Sequence, residues 1–156
     1  MPLPVMPSLW RVSSLKNTLT LKHPYTVENV HAQGAFIATA CQDDIARVFD
    51  FEGNLLHELT GHTNKVRSVR ICKDKLITTS YDHSIKIWNL EDGRNIRTKN
   101  FETTIDAIGV EQDKIFILGG LNYPKYNRVT VLDMDGAKLD VLKIGEGLTH
   151  PIIHKS

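Results

Sequence analysis

Residue types used in hydrolytic catalysis gather in the middle of the chain: His62, Ser80 and Asp82. A serine nucleophile needs an imidazole base, a carboxylate that orients the base, and N–H donors for the oxyanion. Ser80 lies beside the turn Tyr81-Asp82-His83, without a nucleophile elbow or an evident oxyanion hole. The trio therefore reads as a structural hydrogen-bond network. His150 and His154 are four apart, a spacing that shares a metal only on a helix, and Pro151 with the β-like Ile152-Ile153 opposes that helix. Asp133-Met134-Asp135-Gly136 begins like a calcium loop but lacks the later ligands. Gly119-Gly120 and Gly145-Glu146-Gly147 have no helix after them to cradle a phosphate. Cys41 and Cys72 are too few for a disulfide framework and suit a reducing compartment. Neither catalysis, a metal nor a cofactor is expected.

The 156 residues suit one domain, and 41% hydrophobic with 24% charged residues argues against disorder. Nineteen basic against eighteen acidic residues leave a net charge of +1, which is not a chain built on phosphate attraction. The cluster Lys65, Arg67, Arg70, Lys73 and Lys75 would be split between two faces by strand alternation, so nucleic acid is not the expected partner. No apolar run reaches the length of a membrane helix. Met1 to Trp10 does not read as a signal peptide. The expected location is the cytoplasm, with the nucleus as the alternative.

Internal repetition organises the chain. His23 and His62, Val27 and Val66, Val30 and Val69, Asp43 and Asp82, and Phe49 and Trp88 are each 39 apart without a gap. A third copy keeps the step at Ile105, Ile108 and Phe116. After Gly120 the step becomes 44, with Trp88 matching Leu132, so five extra residues fall in the turn-rich stretch 121–127. Each copy holds four short β-like segments. In the second copy they are Val66–Ile71, Lys75–Ser80, Ser84–Trp88 and Asn95–Thr98, separated by turn residues. Ile85 and Ile87 alternate with Lys86 and Trp88. Helical periodicity is absent. Four-stranded units recurring near every 40 residues predict β-propeller blades.

Gly61-His62, followed by Ser80-Tyr81-Asp82-His83-Ser84-Ile85-Lys86-Ile87-Trp88-Asn89, resembles the WD40 repeat, with Asn89 where the aspartate of the Trp-Asp pair usually stands. The resemblance is strongest over 60–99, good over 20–59 and weakest over 100–142. It implies an all-β fold: a partial WD40-type β-propeller of three complete four-stranded antiparallel blades plus strands of flanking blades. It also implies a non-catalytic scaffold that recognises peptides or proteins. Carried over residue by residue, it makes His62, Ser80, Asp82 and Trp88 a hydrogen-bonded tetrad. A buried imidazole N–H needs an acceptor, which Asp82 would supply, and Ser80 and the Trp88 indole would complete the chain. In the first copy His23 and Asp43 remain, while Cys41 and Phe49 replace the serine and tryptophan. Phe101, Gly119 and Leu132 fill the slots of the third copy, so packing alone would hold it, and blade 3 is expected to be the least regular.

The resemblance also points to one face for ligands, at the channel mouth. Its residues here are Thr26, Glu28 and Gln42 in blade 1; Lys65, Arg67 and Tyr81 in blade 2; and Thr104, Asp106 and Gly120 in blade 3. Lys65 and Arg67 would suit an acidic or phosphorylated peptide. The domain bounds read as follows: 8–21, two strands of a preceding blade; 22–59, 60–99 and 100–142, blades 1 to 3; 143–156, the first strand of a following blade. Three blades do not close a ring, so a second propeller half, from another copy or a partner chain, is expected, with a truncated piece of a longer protein as the alternative. The alternatives are substrate recognition in a ubiquitin-ligase-type assembly and a structural place in a large complex, including RNA–protein complexes.

Overall fold

The structure, a computed structural model, describes residues 19–119 and 128–143. The expected flanking strands within 8–18 and 144–156, the pair His150 and His154, and Gly120 lie outside the described residues. Among the described residues there are twelve strands and no helix. Blade 1 is β1 (Val27–Gln33), β2 (Phe36–Cys41), β3 (Ala46–Phe49) and β4 (Leu55–Leu59). Blade 2 is β5 (Val66–Cys72), β6 (Lys75–Ser80), β7 (Ser84–Asn89) and β8 (Asn95–Asn100). Blade 3 is β9 (Ile105–Glu111), β10 (Lys114–Gly119), β11 (Arg128–Asp133) and β12 (Lys138–Lys143). Each sheet is an antiparallel meander in chain order, and the three sheets are not closed into a ring.

Alternation along each strand decides which neighbour a side chain meets. Trp88, Leu76, Val66 and Val69 of blade 2 pack with Ala38, Ala40, Ala46 and Val48 of blade 1. Ile77, Ile85 and Ile87, on the opposite face of the same sheet, pack with Ile105, Ile115, Ile117 and Leu132 of blade 3. Blade 2 is thus buried on both faces, which explains why β6 reads as a nearly continuous run of buried residues from Leu76 to Ser80. Small alanines in blade 1 face large side chains in blade 2, so the two surfaces interdigitate.

The third turn of each blade places its glycine under a side chain from before or on the preceding outer strand. Gly93 (φ +71) meets the His57 ring of β4, and Gly136 (φ +80) meets Arg97 of β8. Gly53 meets Leu19 in the same way, so Leu19 stands toward blade 1 as β4 and β8 stand toward blades 2 and 3.

Blade 3 departs from the expectation of irregularity. All three sheets carry the same two pairing shifts, one at the first strand and one at the third. The first-strand shifts fall at Val27/Asn29, Val66/Ser68 and, opposite Leu118/Gly119, at Ile105/Ala107. The later ones fall at Val48/Phe49, Ile87/Trp88 and Val131/Leu132. Apolar packing of Ile115, Ile117 and Leu132 therefore stands at the centre of a regular four-stranded sheet, where blade 2 has its histidine–aspartate network.

Candidate functional site

The network of blade 2 is built on β6, β7 and the loop before β5. His62 Nδ1–H donates to Asp82 Oδ2 at 2.8 Å, and Nε2 accepts from the Thr78 hydroxyl at 2.7 Å. Trp88 Nε1–H donates to the same Thr78 oxygen at 2.9 Å. This tautomer is the one that satisfies every partner. Asp82 also accepts from the Ser84 hydroxyl at 2.7 Å and from the N–H groups of Ser84 and Thr63. Burial would raise the Asp82 carboxyl, but the hydrogen bonds from Ser84, His62 and the Thr63 N–H outweigh it and hold it at about 2. Burial pushes His62 below the ordinary imidazole range despite Asp82, so the ring is neutral near pH 7. No buried side-chain nitrogen or oxygen among the described residues lacks a partner.

Ser80 is the correction within this network. Its hydroxyl donates to the Asn64 carbonyl at 2.7 Å and accepts from Asp82 N–H; the hydroxyl between His62 and Trp88 belongs to Thr78. Strand alternation puts Thr78 and Ser80 on one face, so the sequence did not separate them. The step of 39 held the missing signal. Thr39, Thr78 and Ile117 share one slot, and Cys41, Ser80 and Gly119 share the next. Cys41 accordingly donates its thiol to the Tyr25 carbonyl as Ser80 does to Asn64.

In blade 1 His23 Nε2 accepts from Thr39 at 2.8 Å, Nδ1 faces the Leu21 carbonyl at 3.2 Å, and the ring stands edge-on to Phe49. Asp43, expected beside His23, instead takes two hydrogen bonds from Arg47, whose Nε also donates to Glu58 at 2.9 Å. The guanidinium offers that carboxylate two charge-assisted bonds at once. Its bonds outweigh burial and hold the Asp43 carboxyl low. The shortened network thus splits into two separate pairs.

At the first-strand shift of each sheet the ladder register skips one residue: Glu28, Arg67 and Asp106, spaced by 39. A bulge turns its extra residue out of the ladder. Arg67 does not stay in solvent. It donates to the Ile105 carbonyl and to Asp106, both at 3.2 Å, and its guanidinium lies 5.3 Å from the Tyr81 ring centre. Expected as a partner-binding anchor, Arg67 with Asp106 is a tie between blades 2 and 3. Gln42 donates to Glu28. Glu28, Gln42, Lys65 and Tyr81 come together around a shallow depression of about 400 Å³, joined by Asn64, which the sequence had not singled out. Thr26 is exposed and contributes its carbonyl to Gln42 N–H; Thr104 is exposed in the loop before β9.

Further ties register the blades at the inner strands. Val69 N–H donates to Asn29 Oδ1, and Ile71 N–H to His31 Nδ1 at 3.1 Å, so side chains of β1 cap N–H groups on the edge of β5. Burial, then the charge of Arg70, lowers the His31 pKa and keeps that acceptor neutral. Lys73 reaches Asp113, and Lys75 reaches Asp135, from blade 2 to blade 3. No group of three metal-ligating side chains is gathered among the described residues. No helix among them is long and apolar enough to cross a membrane.

Repeated four-stranded meanders packed face to face, each with the same bulges, define a partial β-propeller. The His62–Asp82 pair with Thr78 and Trp88 narrows the class, and comparison with known proteins agrees. Residues 53–89 match the family model described as WD domain, G-beta repeat. The DENN domain and WD repeat-containing protein SCD1 of Arabidopsis thaliana is 38% identical over 58 residues, covering 36% of this chain and 5% of its own length. Eukaryotic translation initiation factor 3 subunit I of Saccharomyces cerevisiae is 24% identical over 139 residues, covering 85% of this chain and 40% of that protein. The WD40 domain from Toxoplasma gondii coronin superposes with a TM-score of 0.68 at 17% identity, over 81% of this chain and 36% of that one. Residues 53–89 thus carry a WD40 repeat, and the fold of the chain is that of WD40 β-propeller domains. It spans less than half the length of these curated relatives.

Proposed function

We propose that the chain is a non-catalytic protein-interaction scaffold that holds a peptide or protein on the face carrying Glu28, Gln42, Asn64, Lys65 and Tyr81. The depression these residues form across blades 1 and 2 carries the reading. Tyr81 offers an aromatic surface, 40% exposed and backed by Arg67, and Lys65 offers an exposed cation. Aromatic anchors beside directed polar groups favour recognition. The cation suits a carboxylate or phosphate on the partner. WD40 propellers are typically non-catalytic, which agrees with a network whose polar groups are spent on one another.

The remaining blades of the ring come from a second copy, from a partner chain or from further residues of a longer chain. Three unclosed sheets support this, as does the fraction of the coronin WD40 domain that the chain spans. A second reading, a structural subunit of a large complex, draws on the likeness to a translation initiation factor subunit along most of the chain. Two free thiols suit the cytoplasm or nucleus. The test is affinity capture with the whole chain against a Lys65→Glu, Tyr81→Ala double variant of unchanged melting. A stoichiometric partner held by the first and lost by the second supports the face; equal retention by both overturns it.

A further inference from the structure

Two lysines of blade 2 cross to blade 3 at the rim that carries the turns between first and second strands. Lys73 reaches Asp113 at 2.6 Å; Lys75 donates to Asp135 at 2.7 Å and to the Met134 carbonyl at 3.2 Å, its side chain only 19% exposed. The acidic halves of both ties recur one blade earlier. The step of 39 makes Asp74 the counterpart of Asp113. The pairing of Leu76 with Trp88 and of Ile115 with Leu132 makes Glu91 the counterpart of Asp135. Their N–H groups donate alike, to Asn89 Oδ1 at 2.8 Å and to Asp133 Oδ1 at 2.9 Å. The cationic halves do not recur. Gly34 stands where Lys73 would be, both at positive φ, and Phe36 stands where Lys75 would be, each opening the second strand of its blade. Among the described residues, no cation forms an ion pair with Asp74 or Glu91.

Where the two lysines are missing, the structure has a hollow of about 400 Å³ between blades 1 and 2. Phe36, Leu56 and Leu90 give it apolar walls, and Asp74, Glu91 and His57 line it beside them. Lys73 also borders it, with its ammonium held by Asp113. Backbone contacts bring the two acidic residues together. Leu90 N–H donates to the Asp74 carbonyl at 2.8 Å, and His57 Nε2–H donates to the Glu91 carbonyl at 3.1 Å. Charge at this rim is one-sided. Its six turns (34–35, 50–54, 73–74, 90–94, 112–113 and 134–137) hold seven acidic residues against Lys73 and Arg94, in a chain of net charge +1. An apolar wall beside free carboxylates suits a side chain with an aliphatic stem and a cationic head.

We propose that this hollow binds a basic segment of a protein partner, one lysine laying its stem on Phe36, Leu56 and Leu90 with its ammonium at Glu91, and a neighbouring lysine meeting Asp74. The partner's lysines then do between blades 1 and 2 what Lys75 and Lys73 do between blades 2 and 3. The hollow lies at the opposite end of the strands from the depression around Tyr81, so it stands or falls independently of that face.

The test is a titration of the whole chain, followed through backbone amide resonances, with a short glycine peptide carrying two lysines spaced as Lys73 and Lys75 are. The peptide is expected to saturate in the range of about 1 mM, and its norleucine version, which keeps the stem without the charge, to bind about tenfold more weakly. Shifts should centre on residues 34–36, 56–57, 73–74 and 90–91. Phe36→Lys supplies the missing cation from within and should weaken the peptide by about tenfold. Should that variant lower melting, Glu91→Gln, on an exposed turn, decides, with an expected loss of about fivefold. Asp135→Asn, at a carboxylate already held by Lys75, should leave the affinity unchanged. Equal binding of the lysine and norleucine peptides, undiminished binding by well-folded Glu91→Gln, an equal loss with Asp135→Asn, or shifts spread over the acidic turns of all three blades would overturn the proposal.

Discussion

The Thr78 hydroxyl sits fully buried between two nitrogens, accepting from Trp88 and donating to His62. Replacing it by the isosteric valine leaves a buried indole N–H and an imidazole nitrogen unpaired. Thr78→Val should therefore lower unfolding free energy by about 1–3 kcal/mol in urea titration. Thr39→Val orphans only the half-exposed His23, which water can reach, and should cost less; equal costs would count against the network. The pH dependence has a definite sign. His62 and His31 are held below 6.5, so the unfolded chain takes up their protons first. Their contribution is complete above pH 6.5 and is lost as pH falls through the lowered values. Asp82, at about 2 against an ordinary 3.8, gives a second loss below pH 3.8. Melting temperature against pH should show both declines, and His31→Gln should shrink the first. At this scale His62, Asp82 and Trp88 were legible because each is a distinctive residue type. Thr78 was less so, because alternation offered two hydroxyls on one face and only the recurrence of threonine at Thr39 separated them.

Each turn and bulge repeats from blade to blade because the same backbone problem recurs. Gly136 answers it with a positive φ under Arg97; an added Cβ would lie 2.7 Å from Arg97 Cδ and 3.3 Å from Ile87 Cδ1. Gly136→Ala should cost roughly 1–2 kcal/mol for the left-handed backbone, plus the displacement of Arg97. Gly34→Ala, also at positive φ but with nothing within 4 Å, should cost the backbone part alone. The bulge residues Arg67 and Asp106 join β5 to β9. Arg67→Glu should therefore lower melting, and exchanging the two charges should restore part of it, with a coupling of about 0.5–1 kcal/mol by double-mutant cycle. Strand positions in blade 2 were legible within two residues because apolar alternation and turn residues agree there. The destination of Arg67 was not, since a bulge changes where a side chain points and leaves no mark in the hydrophobic pattern.

Across the whole molecule, stability comes from sheets lying face to face. Blade 2 has a neighbour on each side, whereas the face of blade 3 turned from blade 2 presents Phe116, Leu118 and Val129 only partly buried. The regular step of 39 made the blades readable from the chain, but it carries no information on what covers the outer faces, because contacts between separate molecules leave no period. Apolar sheet faces of this kind favour association. Solution mass by light scattering at micromolar concentration tests the account most directly. Association of copies predicts a mass at a multiple of 17.6 kDa that falls on dilution. A compact, well-folded species of 17.6 kDa at every concentration, with no partner required, would contradict it.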